Sequence, residues 1–128
     1  MSGQIQISDA EWEIMKVLWQ SPGLTAAEVC EVLAPLERWH PKTVRTMLNR
    51  LQKKGVLEAT VRDKVYRYTP LHSRDECVSA AASSFMSRVF DGAFTPMLAH
   101  FIKASPLSEK DRAELERILS KYDDREAE

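Results

Sequence analysis

The 128-residue sequence predicts a mainly α-helical protein with one small β-hairpin. Three times a Ser or Thr is followed three residues later by a Glu, at Ser8, Thr25 and Ser73, which is the pattern of an N-terminal helix capping box. Apolar residues recur at helical spacing after each of these positions. Residues 56–70, in contrast, are rich in β-branched and aromatic side chains, which favour strands.

The composition is that of an ordinary globular protein, with 44% hydrophobic and 29% charged residues. A disordered chain is therefore not expected. No apolar run approaches the ~20 residues that cross a bilayer, and the first residues lack the basic and apolar segments of a signal peptide. We therefore expect a cytoplasmic protein with no membrane partner.

Three helices are expected before the hairpin. The first covers Ser8–Gln20 and ends at the Ser-Pro-Gly sequence that follows, because Pro cannot continue a helix. The second begins after Thr25, extends over about ten residues and stops before Pro35. The third begins near Pro41, which suits the first helical position because it has no N–H to leave unpaired, and it ends at Gly55.

The hairpin is expected to have its tip at Arg62–Lys64 and to end at Pro70. Three further helices are predicted after it: Ser73–Phe90, Pro96–Lys103 and Ser108–Tyr122. This order divides the chain into an N-terminal domain of residues 1–71 and a C-terminal helical domain of residues 72–128.

Positive charge is concentrated in the middle of the chain, although the net charge is −1. Between Arg38 and Arg67 nine basic residues stand against two acidic ones. From His72 onward eight basic residues stand against eleven acidic ones. This asymmetry predicts that the middle segment binds a polyanion.

Three helices followed by a hairpin, with a polar and basic third helix, are typical of a winged helix-turn-helix domain that binds double-stranded DNA. We expect base contacts from Thr43, Thr46 and Arg50, because a Thr methyl group can contact a thymine methyl and Arg can pair with guanine. The candidates for phosphate contact are all basic: Lys42, Arg45, Lys53, Lys54, Arg62 and Lys64. A basic helix face on its own is more often a solvated surface, and the hairpin of like charge that follows favours DNA.

Three segments resemble the penicillinase-repressor (BlaI/MecI/CopY) family of winged-helix repressors: Ser8–Trp19 (SDAEWEIMKVLW), Lys42–Gly55 (KTVRTMLNRLQKKG) and Tyr66–Leu71 (YRYTPL). The resemblance covers nearly the whole chain. It implies a transcriptional repressor of the kind linked to antibiotic resistance, with a winged helix-turn-helix N-terminal domain and a C-terminal helical dimerisation region. It also implies a homodimer on a palindromic operator with TACA/TGTA-type half-sites. Trp12 and Trp19 are expected to anchor the core.

The apolar residues of the C-terminal region support dimerisation independently of the resemblance. They are too many and too large for three short helices to bury alone, and a second copy is the simplest cover. The expected dimerisation residues are Val78, Phe85, Val89, Phe94, Leu98 and Phe101. The alternative is that this region folds back on the N-terminal domain. In a dimer the two recognition helices would engage half-sites about one helical turn apart, or a multiple of that distance.

The resemblance implies two mechanisms of release from DNA. Some family members are cut by a signalling protease between Asn and Phe, and the matching pair here is His100–Phe101. The Phe is kept and the Asn is replaced, so cleavage at this bond is an open expectation. Copper-responsive members carry four C-terminal cysteines in CxC pairs, whereas no cysteine follows Cys77. This excludes copper sensing by that route.

No cofactor, metal or catalytic site is expected. Cys30 and Cys77 lie far apart on the apolar sides of predicted helices, which is typical of structural, reduced cysteines. The three histidines form no ligand pattern with them: His40 is expected to cap the third helix, and His100 to lie in the core of the C-terminal region. The sequence contains neither a Gly-rich phosphate loop nor a supported nucleophile–base arrangement, so an enzyme is not predicted.

Two alternatives keep the winged helix and change its function. One is a repressor of another family that responds to a small molecule or to oxidation of Cys77, near the junction of the two domains. The other is a protein-interaction module whose basic face binds an acidic partner. Steep salt dependence without preference for an operator would fit the second alternative, because counterion release does not depend on sequence.

Overall fold

The computed structural model describes residues 5–127, and its elements follow the predicted order. They are α1 (Asp9–Gln20), α2 (Ala26–Leu33), α3 (Pro41–Lys53), β1 (Leu57–Arg62), β2 (Val65–Pro70), α4 (Arg74–Phe90), α5 (Phe94–Ala104) and α6 (Glu109–Ala127). The two strands form one antiparallel hairpin. The chain divides into two compact units, the first reaching Ser84 and the second beginning at Phe85, so the division falls inside α4.

All three predicted capping boxes are present. The side chain of Ser8 accepts a hydrogen bond from the backbone N–H of Glu11 at 3.2 Å, and the Glu11 carboxylate accepts one from the N–H of Ser8 at 2.9 Å. Thr25 with Glu28 and Ser73 with Glu76 repeat this exchange. Each box supplies acceptors for N–H groups that a helix start leaves unpaired.

The ends of α3 are set by local chemistry as the sequence predicts. His40 caps the helix, since its Nδ1 accepts a hydrogen bond from the N–H of Lys42 at 3.0 Å. Pro41 is the first helical residue, and Lys54 is the C-terminal cap. Gly55 follows with φ of +81°, a left-handed conformation that glycine adopts without a steric penalty.

The core of the first unit is built by α1, α2, α3 and the inner end of the hairpin. Its members are buried apolar residues: Ile14, Met15, Leu18, Val29, Leu33, Val44, Met47, Leu48, Leu51, Val56, Leu57 and Tyr68. Trp19 packs against this cluster. Trp12 is half-buried and lies outside it, with its ring 5.6 Å from that of Trp19. The expectation that both tryptophans anchor the core is therefore right only for Trp19.

The hairpin turns at Asp63 and Lys64, where the sequence placed its tip. Arg62 pairs with Val65, and the two residues between them have φ of 54° and 65°. A two-residue turn with both φ values positive matches the right-handed twist of the strands. The loop before α2 adds to the sheet, because Gly23 donates its N–H to the oxygen of Tyr68 at 2.8 Å and Tyr68 donates to the oxygen of Leu24 at 2.9 Å.

The second unit contains the end of α4 together with α5 and α6. The ring of Phe85 stacks on that of Phe101 with centroids 6.2 Å apart, and it meets Phe90 at 5.9 Å. Helix α5 begins two residues before the predicted Pro96, and α6 continues five residues past the predicted Tyr122. The longer α6 has a simple reason: no Gly or Pro follows Leu107 to end it.

His100 does not lie in a core, which corrects the sequence-based expectation. Its side chain is exposed, with its ring 5.6 Å from Phe101 and 6.2 Å from Phe90. The half-buried residues of α5 are Met97, Leu98 and Ile102. His100 is two positions from Leu98 and from Ile102, which places it on the far side of the helix from those two residues.

Candidate nucleic-acid interface

Helix α3 has one buried side and one polar side. Val44, Met47, Leu48 and Leu51 are buried, and their spacing of three and four residues keeps them on one side of the helix. The polar residues between them are exposed to solvent. The apolar side therefore holds α3 against the core, and the polar side faces solvent.

The three expected base-contacting residues lie together. Thr43, Thr46 and Arg50 are exposed and line one shallow depression with Lys42 and Met47. The Thr46 hydroxyl donates a hydrogen bond to the backbone oxygen of Lys42 at 2.9 Å. The depression thus presents methyl groups, a hydroxyl oxygen and a guanidinium group, which are the groups that contact base edges in the major groove.

Five of the six expected phosphate-contacting residues are exposed basic side chains on α3 or the hairpin turn. They are Lys42, Arg45 and Lys53 on the helix, and Arg62 and Lys64 at the turn. Lys64 occupies a turn position with positive φ where Gly is favoured, so the turn keeps a basic side chain at a conformational cost of about 1 kcal/mol.

Lys54, the sixth, is engaged within the protein. Its ammonium group donates to Oε1 of Glu11 at 2.7 Å and to the backbone oxygen of Gln6 at 3.0 Å. The Glu11 side chain is fully buried. The sequence gives no signal of this pair, because the two residues are 43 positions apart and both also fit other roles.

Arg67 and Trp19 make further contacts that hold the hairpin and the start of α4 in place, and the sequence did not predict them. Arg67 of β2 donates to the oxygen of Gly23 at 3.0 Å and lies 3.6 Å from the carboxylate of Glu28. Trp19 donates its indole N–H to the backbone oxygen of His72 at 2.9 Å, just before α4. All three contacts join residues more than 35 positions apart, so no local pattern signals them.

Electrostatics around the first unit favour ionised carboxylates at the helix starts. Burial alone raises the pKa of Glu11, but hydrogen bonds from Lys54 and Ser8 and the Lys54 charge together lower it below its ordinary value of 4.5. The backbone N–H of Thr25 lowers the pKa of Glu28, and that of Ser73 lowers the pKa of Glu76. The hydrogen bonds of the capping boxes therefore stabilise the ionised forms of these carboxylates.

The thiols and histidines of the described residues form no metal site. No group of three or more Cys, His, Asp or Glu side chains is close enough there to hold an ion. Cys77 is 1% exposed, and burial, together with the nearby Glu76, raises the pKa of its thiol. A high pKa disfavours the reactive thiolate. Over the same residues, no helix is both long and apolar enough to cross a membrane.

The family model for penicillinase repressors matches residues 7–121. The chain belongs to the penicillinase repressor family. This match confirms the predicted family. Because the members of this family are repressors, the expectation that the chain is not an enzyme is also confirmed. Three helices followed by the hairpin also confirm the predicted fold class of this family member.

Two relatives resemble the chain over nearly its whole length. It is 37% identical over 123 residues to the penicillinase repressor of Bacillus licheniformis, covering 96% of each chain. It is 31% identical over 116 residues to the methicillin resistance regulatory protein MecI of Staphylococcus aureus strain N315, covering 91% of this chain and 94% of MecI. The solution structure of Bacillus licheniformis BlaI in its monomeric form, in complex with the blaP half-operator, matches 59% of this chain and 93% of that one, with 42% identity and a TM-score of 0.51.

Proposed function

We propose that this penicillinase repressor family member represses transcription by binding, as a homodimer, a palindromic operator with TACA/TGTA-type half-sites. The observation that carries the proposal is the depression on α3, where Thr43, Thr46 and Arg50 lie side by side. A major groove accepts one helix, and these are the residue types that distinguish base pairs there.

The roles of the interface residues follow from their chemistry. Arg50 has the planar guanidinium group that pairs with guanine O6 and N7, whereas the two threonines present methyl groups to thymine. Lys42, Arg45 and Lys53 flank them on α3, and Arg62 and Lys64 are at the hairpin turn. These five basic residues are the proposed phosphate contacts. They fix the position of the domain on DNA without selecting sequence.

The complex of Bacillus licheniformis BlaI with the blaP half-operator supports this assignment. The match has 42% identity and covers 59% of this chain and 93% of the BlaI chain in that structure. A half-operator implies a second half, and a symmetric pair of half-sites fits a protein with two-fold symmetry. The homodimer is therefore part of the proposal.

The apolar surface of the C-terminal helices supports a second copy as the cover. Val89 is 53% exposed and Phe94 is 54% exposed, and on α6 Ile118 and Leu119 are 51% and 55% exposed. Large apolar side chains this exposed favour burial against a partner. We assign the dimer interface to the six residues expected from the sequence. Within one chain Phe85 and Leu98 are half-buried, and the other four are exposed: Val78, Val89, Phe94 and Phe101.

Release by proteolysis at His100–Phe101 completes the proposed cycle. The bond lies inside α5, and both side chains are exposed. A protease binds extended backbone, so cleavage requires α5 to unwind locally. The cut would separate the first part of α5 from Phe101, whose ring stacks on Phe85. Under this mechanism a chain that ends at His100 dimerises much more weakly than the intact chain, as measured by sedimentation.

Oxidation of Cys77 is not favoured as the release signal. The thiol is buried and its pKa is raised, and both properties slow reaction with oxidants. The alternative function, a module that binds an acidic protein partner, is tested by the DNA-binding experiment described next.

The experiment compares binding of the intact chain to a TACA/TGTA palindrome and to a scrambled duplex of the same length, at two salt concentrations. We expect a preference for the palindrome of about 10³-fold or more, because specific sites exceed random DNA by at least this ratio. Equal, salt-sensitive binding to both duplexes would contradict base recognition and favour a module that binds acidic partners.

A further inference from the structure

The C-terminal cap of α3 is joined to the start of α1 by a partly buried ion pair. Lys54 Nζ lies 2.7 Å from Oε1 of Glu11 and 3.0 Å from the backbone oxygen of Gln6. The Glu11 side chain is 0% exposed, whereas that of Lys54 is 32% exposed. Lys54 therefore connects the end of α3 to the first turn of α1 and to the segment that precedes this helix.

This arrangement leaves Lys54 poorly suited to phosphate contact. An ammonium group has three N–H donors, and two of them are engaged by these oxygens. The pair is also neutral as a unit, so its attraction for a phosphate falls off rapidly with distance. The other five proposed phosphate-contacting residues form no ion pair of this kind with a buried carboxylate in the described part of the chain.

Glu11 depends on Lys54 for its charge in this position. Its Oε1 accepts hydrogen bonds from Lys54 and from the N–H of Ser8. Its Oε2 is buried, and no polar group of the described residues reaches it. An ionised carboxylate removed from water is costly unless a cation compensates it. The ion pair therefore persists because a buried, ionised Glu11 without a cation beside it would be energetically unfavourable.

The pair lies next to the residue that we expect to contact guanine. Lys54 donates its backbone N–H to the oxygen of Arg50 at 3.0 Å, so the two residues are one helical turn apart. A shift of the last turn of α3 would move the Arg50 side chain with it. Two parallel hydrogen bonds to one base tolerate little displacement, since they weaken steeply away from ideal distance and angle.

We propose that Lys54 is a positioning residue for operator recognition, which holds the last turn of α3 against Glu11 so that Arg50 meets its base, and that it is not a phosphate contact. This inference rests on the proposed function. It corrects the sequence-based assignment of Lys54 and adds Glu11, which no DNA can touch, to the residues that determine specificity.

The test measures the affinity of folded, full-length variants for the palindrome and for the scrambled duplex, and the dependence of each affinity on salt. The variants are Glu11→Gln, Lys54→Met and Lys54→Arg, with Glu13→Gln as the matched control. Glu13 is in the same helix and forms only a surface pair with Lys16 at 3.0 Å, so its variant makes the same change in net charge. Circular dichroism at the binding temperature establishes that each variant is folded.

We expect Glu11→Gln and Lys54→Met to reduce the palindrome-to-scrambled ratio by about 10-fold, within the range for loss of one bidentate base contact. Affinity for the scrambled duplex and the salt dependence should stay unchanged. Lys54→Arg, which can still reach Glu11, should restore most of the ratio, and Glu13→Gln should match the wild-type chain.

Three results would overturn the inference. If Lys54 contacts phosphate, Lys54→Met weakens binding to both duplexes equally and reduces the salt slope by about 1, while Glu11→Gln frees Lys54 and strengthens both. If the pair is only structural, the folded variants keep the wild-type ratio. If the wild-type chain itself shows no preference for the palindrome, the proposed function fails and the inference fails with it.

Discussion

The hydroxyl group of Thr46 donates a hydrogen bond to the backbone oxygen of Lys42, one turn earlier in α3, at 2.9 Å. This hydrogen bond uses the only donor that the side chain has. What Thr46 offers to DNA is therefore a methyl group and an oxygen that can only accept. The methyl group suits a thymine methyl, which is the contact expected from the sequence.

Replacing Thr46 by Val should preserve operator preference, whereas Thr46→Ala should reduce it. Val keeps a methyl group at the same position, and Ala removes it at a cost of about 0.8 kcal/mol, roughly 4-fold in the palindrome-to-scrambled ratio. Thr95→Ala in α5 is the matched control and should change nothing. Equal losses for the Val and Ala variants would show that the oxygen, and not the methyl group, is the contact.

Arg50→Ala and Lys64→Ala should affect DNA binding in different ways. Loss of Arg50 should reduce discrimination between palindrome and scrambled duplex by about 1–3 kcal/mol, because it removes a base contact. Loss of Lys64 should weaken binding to both duplexes alike and reduce the salt slope by about 1. Titrations at several salt concentrations separate the two effects. A uniform loss for Arg50→Ala would refute its assignment to a base.

Much of the fold was predictable because its signals are local. Each capping box joins residues three positions apart, and the turn at Asp63 and Lys64 interrupts two β-rich segments. The end of α6 was missed because no Gly or Pro marks it. His100 was misplaced because the apolar residues around it in the sequence do not determine which side of the helix it occupies.

The candidate interface was predictable where its residues share one helix. Thr43, Thr46 and Arg50 follow helical periodicity, so their common location on α3 follows from spacing alone. The part played by Lys54 was not predictable. Its partner Glu11 is 43 positions away and already had a role in a capping box, and only the tertiary fold joins the two.

The first unit should lose stability in acid. The pKa of Glu11 is lowered in the folded chain, so its contribution is complete above the ordinary value of 4.5 and is lost as pH falls through that value towards the folded one. Glu28 and Glu76 are shifted in the same direction. Melting temperatures measured between pH 7 and pH 3 should therefore fall steadily below about pH 5.

Glu11→Gln should be less stable than the wild-type chain at pH 7, by about 1–3 kcal/mol, as expected when a buried hydrogen bond to a charged group is weakened. Its melting temperature should also depend less on pH over the acid range, because one titrating group has been removed. Glu13→Gln should follow the wild-type curve. An equal acid dependence for the Glu11 variant would show that its carboxylate is not responsible.

A chain that ends at Ser84 should be more stable than one that ends at Leu71, the boundary that the sequence predicts. The longer chain keeps the backbone oxygen of His72, which accepts the indole N–H of Trp19, and the buried Cys77. Loss of a buried hydrogen-bond partner costs about 1–3 kcal/mol. Urea unfolding of the two fragments tests this expectation. Equal midpoints would place the end of the N-terminal domain at Leu71.

The central claim is that a homodimer places two α3 helices on two half-sites of one palindrome. The most direct measurement is the affinity of the intact chain for the palindrome, for a single half-site, and for a palindrome whose half-sites are moved apart by about five base pairs, half a helical turn. We expect the insertion to reduce the affinity to that of the single half-site, because the two recognition helices then face opposite sides of the duplex. An unchanged affinity after the insertion would contradict it.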